Sequence, residues 1–149
     1  MRTSDADLLI IPGLGGSGPD HWQTRWEQKL STARRVHQRD WDKPQRDEWV
    51  GAIATAIQTA TRPVILVAHS LGAIAAIHAA RETAPWMKGA FLVAAPSEER
   101  LAGVAGADPA FRPYPREKLP FPALLVASRD DPYSDLAESE RWRAIGAPG

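Results

Sequence analysis

The 149 residues contain no cysteine. That absence excludes disulfides, thiol nucleophiles and thiolate metal sites. Neither sign of charge is in excess, since 18 Lys and Arg balance 18 Asp and Glu. No net field therefore draws the chain to nucleic acid or to an anionic membrane. Long hydrophobic runs are missing too. The opening MRTSDADLLIIPG has no apolar leader core, and no later run nears the roughly 20 residues of a membrane span. Repeats and low-complexity segments are absent. What remains is the expectation of one globular domain over residues 1–149, cytoplasmic and free of metal or cofactor.

What is present is alternation. DLLIIP (7–12) reads as a buried strand, rich in branched aliphatics and closed by proline and glycines. Asp20 is the expected cap of a first helix, with Gln23 placed as in a capping box and Trp22, Trp26 and Leu30 along the apolar face. ARRVHQ is a short, weak strand. A helix over about 45–60 carries Trp49, Ile53, Ile57 and Ala60 as its stripe. PVILVAH (63–69) is the clearest strand and runs into a helix from Leu71 to about Glu82. GAFLVAA (89–95) and PALLVAS (122–128) are further buried strands, separated by a loop rich in proline and glycine. SDLAESERWRAI (134–145) reads as a last helix. Four of the six tryptophans fall at helical positions that core packing explains.

All-apolar strands alternating with helices imply a parallel sheet covered on both faces. Right-handed crossovers give the order 2-1-3-4-5, with a ligand crevice at the carboxyl ends of the first and third strands. The two segments of chemical interest, 12–19 and 68–72, both leave strands at that end.

Ala68-His69-Ser70-Leu71-Gly72 has the form of a nucleophile elbow, a strand-to-helix turn too tight for bulk two residues either side of the serine. Ala68 replaces the first glycine of the usual G-x-S-x-G. The elbow requires positive φ at Ser70, whereas a plain helix-capping serine would be extended. Gly13, Gly15, Gly16 and Gly18 make the first loop the natural source of one oxyanion-hole amide. Leu14 would supply that N–H and Leu71, after the serine, the other. Gly13, Gly15 and Gly18 also match G-x-G-x-x-G, with Asp40 or Asp42 at the distance a dinucleotide site wants. Pro19 and Asp20 start the helix after the last glycine, which argues against that reading. In LVASRDDPY, Asp130 or Asp131 is placed to orient a histidine.

IPGLGGSGPDHWQTRWE, VILVAHSLGA and LPFPALLVASRDDPYSDL, in that order, resemble the small serine hydrolases of the YdeN and retinoblastoma-binding-protein-nine group. The resemblance covers nearly the whole chain and implies the α/β-hydrolase fold. It also implies Ser70 as nucleophile, Asp131 as triad acid, His21 as a pocket-shaping residue, and small carboxylic esters or amides as substrates. These hydrolases carry the catalytic histidine on a loop after one further strand. The sequence stops at Gly149 after its last helix, so that strand and loop are expected to be missing. Acyl transfer through Ser70 is then expected to be impaired. The alternative is a non-catalytic domain of the same fold that binds small acyl ligands or a protein partner. An uncovered PALLVAS strand would also favour self-association through 122–128.

Of the four histidines, His69 should face away from Ser70 by strand alternation, His78 lies within a helix, and His37 sits on the weak strand. His21 is the best substitute base, though no carboxylate is evidently placed to orient it.

Overall fold

The computed structural model describes residues 2–127. A five-stranded, all-parallel sheet runs β2-β1-β3-β4-β5. Its strands are β1 (Asp7–Ile11), β2 (Ala33–Arg35), β3 (Val64–His69), β4 (Met87–Val93) and β5 (Ala123–Val126). The order is the one the sequence predicts. The helices are α1 (Trp22–Lys29), α2 (Arg46–Gln58), α3 (Leu71–Thr83) and the short α4 (Glu98–Ala102).

β1 is buried at all five positions, as a central parallel strand requires. Leu9, Ile11, Leu66, Ala68 and Leu92 pack against Trp49, Ile53 and Ile57 of α2 and against the small apolar residues of α3. Asp7 anchors the amino end of the sheet. It is buried, and its carboxylate accepts from the amides of Thr61 and Arg62 and from the Arg62 guanidinium, with Arg34 3.4 Å away. Gln45 gives α2 no side-chain cap. Asp108 supplies it from the loop before β5, accepting from Arg46 N at 2.9 Å and Ala110 N at 3.0 Å.

Three expectations need correction. The first helix is capped by His21, not Asp20, and opens at Trp22. Its buried residues are Gln23 and Thr24, while Trp26 is 38% exposed, so core packing does not explain that tryptophan. β4 runs from Met87 to Val93 instead of 89–95, because Ala94 turns the chain with φ 52°. The loop between β4 and β5 also holds α4, capped by Ser97, whose hydroxyl accepts from Arg100 N. The expected helix over 134–145 lies outside the described residues, as does the end of PALLVAS.

Candidate active site

Ser70 joins β3 to α3 with φ 55° and ψ −126°. Such a backbone is strained for any residue with a Cβ and is concentrated at functional sites. The Ser70 amide is fixed by the Val93 carbonyl at 2.9 Å, and its carbonyl accepts Ala73 N–H at 3.0 Å. The helix begins immediately because Gly72 permits it. A carbon added at Gly72 would overlap the Ile11 and Pro12 carbonyl oxygens. The elbow geometry expected from the sequence is present.

The glycine loop comes against this turn from the β1 side. A carbon built on Gly13 would lie 3.0 Å from Ser70 Cβ and 3.1 Å from Leu71 N, so only glycine lets the loop approach so closely. Leu14 and Leu71 both line the cavity beside Ser70. Leu71 opens α3, where the first N–H groups lack helical acceptors. Gly15, Gly16 and Ser17 follow with φ of 83°, 82° and 54°.

Polar side chains lock the loop. The Gln23 amide, fully buried, donates to the Ile11 carbonyl at 3.1 Å and the Val67 carbonyl at 2.9 Å, and its oxygen accepts from Ser17 Oγ at 2.6 Å. Thr24 Oγ1 donates to the Gly18 carbonyl at 2.8 Å. From β2, Arg35 donates to the Gly16 carbonyl at 2.7 Å and to Thr24 Oγ1 at 2.8 Å, and pairs with Glu27. Asp40, an acid the dinucleotide reading would need, spends one carboxylate oxygen on the amides of Asp42 and Lys43. Gly18 precedes Pro19, and α1 opens only at Trp22. The loop is built as a clamped bracket beside Ser70.

A cavity of about 340 Å³ opens above the elbow. Gly13, Leu14 and Ser17 line it from the loop, His21 from the α1 cap, and His69, Ser70 and Leu71 from the elbow. Pro96, Leu101 and Val104 close it from the α4 segment. Sequence reasoning missed these last three. Ser-Glu-Glu at 97–99, an N-cap with acids in the first turn, is the signal that could have marked α4.

His69 lies edge-on to His21, with ring centroids 4.6 Å apart, and 6.0 Å from Trp22 on the α1 side of the sheet. The sequence leads to the expectation that His69 turns away from Ser70, yet His69 lines the same cavity as Ser70. His78 bonds the Phe111 carbonyl through Nε2 at 2.8 Å, away from this cavity, and His37 is exposed. Burial lowers the pKa of His21, with the nearby charge of Arg35 adding to the effect. Asp130 and Asp131 lie outside the described residues. No described helix is long and apolar enough to cross a membrane.

The family model described as serine hydrolase matches residues 8–148. The fold superposes on a YdeN-like hydrolase of Pectobacterium atrosepticum with a TM-score of 0.83 and 30% identity, over 96% of this chain and 74% of that one. The ydeN product of Bacillus subtilis gives 0.68 at 18% identity, over 95% and 82%. The Bacillus cereus carboxylesterase gives 0.59 at 19% identity, over 97% and 74%. No curated protein matches in sequence. The chain belongs to the serine hydrolase family and has the α/β-hydrolase fold.

Proposed function

We propose that the protein cleaves small carboxylic esters or amides by acyl transfer through Ser70. The strained backbone of Ser70 at the mouth of an apolar cavity carries this reading. Ser70 Oγ attacks the acyl carbon while its proton passes to a base. The carbonyl oxygen becomes an oxyanion held by the N–H groups of Leu14 and Leu71. Collapse expels the alcohol or amine with a proton and leaves an acyl-serine, which water then hydrolyses. Asp131 has the role of orienting the base, on the strength of the family resemblance. His21 and His78 each have a ring nitrogen committed to a backbone group, so neither is assigned as that base, and weak turnover is proposed for residues 1–149. Leu14, Leu71, Leu101 and Val104 form an apolar wall suited to an uncharged acyl chain.

Prolonged incubation with a fluorophosphonate probe, followed by peptide mapping, tests the assignment. A slow adduct on Ser70, lost in Ser70→Ala, is expected. An unmodified Ser70 would favour the non-catalytic binding domain.

A further inference from the structure

His21 caps α1 in an uncommon way. Its Nδ1 accepts the Gln23 N–H at 3.1 Å. A ring nitrogen that accepts is unprotonated, so the neutral imidazole carries its proton on Nε2. The surroundings oppose a second proton. The N-terminus of α1 presents partial positive charge, and the Arg35 guanidinium is held at the neighbouring loop by the Gly16 carbonyl. The acceptor contact is itself immobilised, because Gln23 is buried with its side chain tied to β1, β3 and Ser17. With Nδ1 turned onto the helix, the opposite ring edge faces away from it, and His21 lines the cavity that holds Ser70. The His69 ring packs against it at 67° and restricts its rotation.

We propose that His21 is a fixed Nε2–H donor to an oxygen of the acyl group bound beside Ser70, and not the base that takes the Ser70 proton. Nε2 already holds a hydrogen, and moving that hydrogen to Nδ1 would put it against the Gln23 N–H. The ligand chemistry is a carbonyl or carboxylate oxygen on a short apolar chain, with the chain against Leu14 and Leu101. This inference rests on the reading of Ser70 as the acyl acceptor and adds a substrate-binding group to it.

The test uses the ¹⁵N-labelled 149-residue chain and hexanoate as the probe. Long-range ¹H–¹⁵N spectra at pH 7 should show His21 with Nε2 protonated and Nδ1 bare, and hexanoate should shift the Nε2 resonance. His21→Asn keeps a side-chain oxygen for the α1 cap, so its melting temperature should hold while hexanoate affinity falls about tenfold. A proton on Nδ1, an imidazolium at pH 7, an Nε2 signal indifferent to hexanoate, or unchanged affinity in His21→Asn overturns the proposal. None of these readouts needs Ser70 to react, so failure of the Ser70 assignment shows separately, as an unmodified serine in the fluorophosphonate experiment.

Discussion

Gly72 and Pro12 leave no room for a side chain between them. A carbon built on Gly72 would stand 2.5 Å from the Pro12 carbonyl oxygen and 2.9 Å from its carbon. Both obstacles are backbone at the end of a central strand, so neither can swing aside. Gly72→Ala must push α3 off β1. It should cost about 3 kcal/mol despite alanine's better helix propensity, and Gly72→Val more. Urea denaturation reads this directly, and an unchanged midpoint would refute the close approach.

The same turn makes an opposite prediction one element earlier. Ser70 holds a φ of 55° that costs a residue with a Cβ of order 1–3 kcal/mol. Ser70→Gly releases that strain, offset by the greater freedom of glycine in the unfolded chain. A net gain of about 1 kcal/mol is expected, with Ser70→Ala near wild type because it keeps the Cβ. Stability that falls in Ser70→Gly would mean that the turn stores no strain.

Stability should depend on pH in two steps. Burial lowers the pKa of His21 and His78, with Arg35 assisting at the first and Arg46 at the second, against the Phe111 carbonyl. The unfolded chain then binds more protons than the folded one, so stability is full above the unfolded histidine range and falls as pH drops below about 6.5. Burial pushes the Asp7 carboxyl up, but bonds from Arg62, Thr61 and Arg34 outweigh it and hold it low. The Ala110 and Arg46 amides do the same for Asp108. Their contribution is present above the unfolded carboxylate range and disappears below about pH 4. Urea midpoints between pH 4 and 8 should trace the first step, and His21→Asn with His78→Gln should flatten it. Stability that rises as pH falls from 7 to 5 contradicts the argument.

Strand order and the elbow were legible because they follow from all-apolar runs and from small residues flanking a serine. α1 was not. Its periodicity points to Trp22, Trp26 and Leu30 as the buried stripe, whereas Gln23 and Thr24 are the residues inside. The carboxyl ends of β1 and β3 and the glycine loop offer carbonyls that need donors, and satisfying them outweighs burying one more indole. That demand arises from the loop's tertiary position and leaves no periodic trace. The histidine cap is hidden for the same reason, since aspartate at position 20 is the better capping residue by propensity. α4 was lost among prolines and glycines, although it supplies a wall of the cavity.

β5 pairs with β4 on one side, and among the described residues no strand pairs with its other edge. Leu124 and Val126 on it are 59% and 40% exposed. An apolar edge strand is a template for another chain. The 149-residue chain is expected to dimerise at high concentration, and Leu124→Lys to weaken that association. A monodisperse monomer in light scattering at the highest attainable concentration would refute it.

The final prediction concerns turnover. A serine hydroxyl at its free pKa is a poor nucleophile and relies on an adjacent base in every cycle. His21 presents a bare Nδ1 only to the Gln23 amide, and His78 is bound to the Phe111 carbonyl. With His21 and His78 so committed, the site is expected to keep mainly what an oxyanion hole and binding supply, roughly 10³–10⁴-fold over water. The 149-residue chain should therefore turn over p-nitrophenyl acetate slowly. Ser70→Ala should lower that rate less than about tenfold, because an unactivated hydroxyl contributes little. His21→Ala should raise KM more than it lowers kcat, as expected for a lost donor to bound substrate. Fast turnover abolished in both variants would show His21 acting as the base and would remove its assignment as a donor. Fast turnover abolished in Ser70→Ala alone would place the base on another residue, with His69, which shares the cavity wall, the first to substitute.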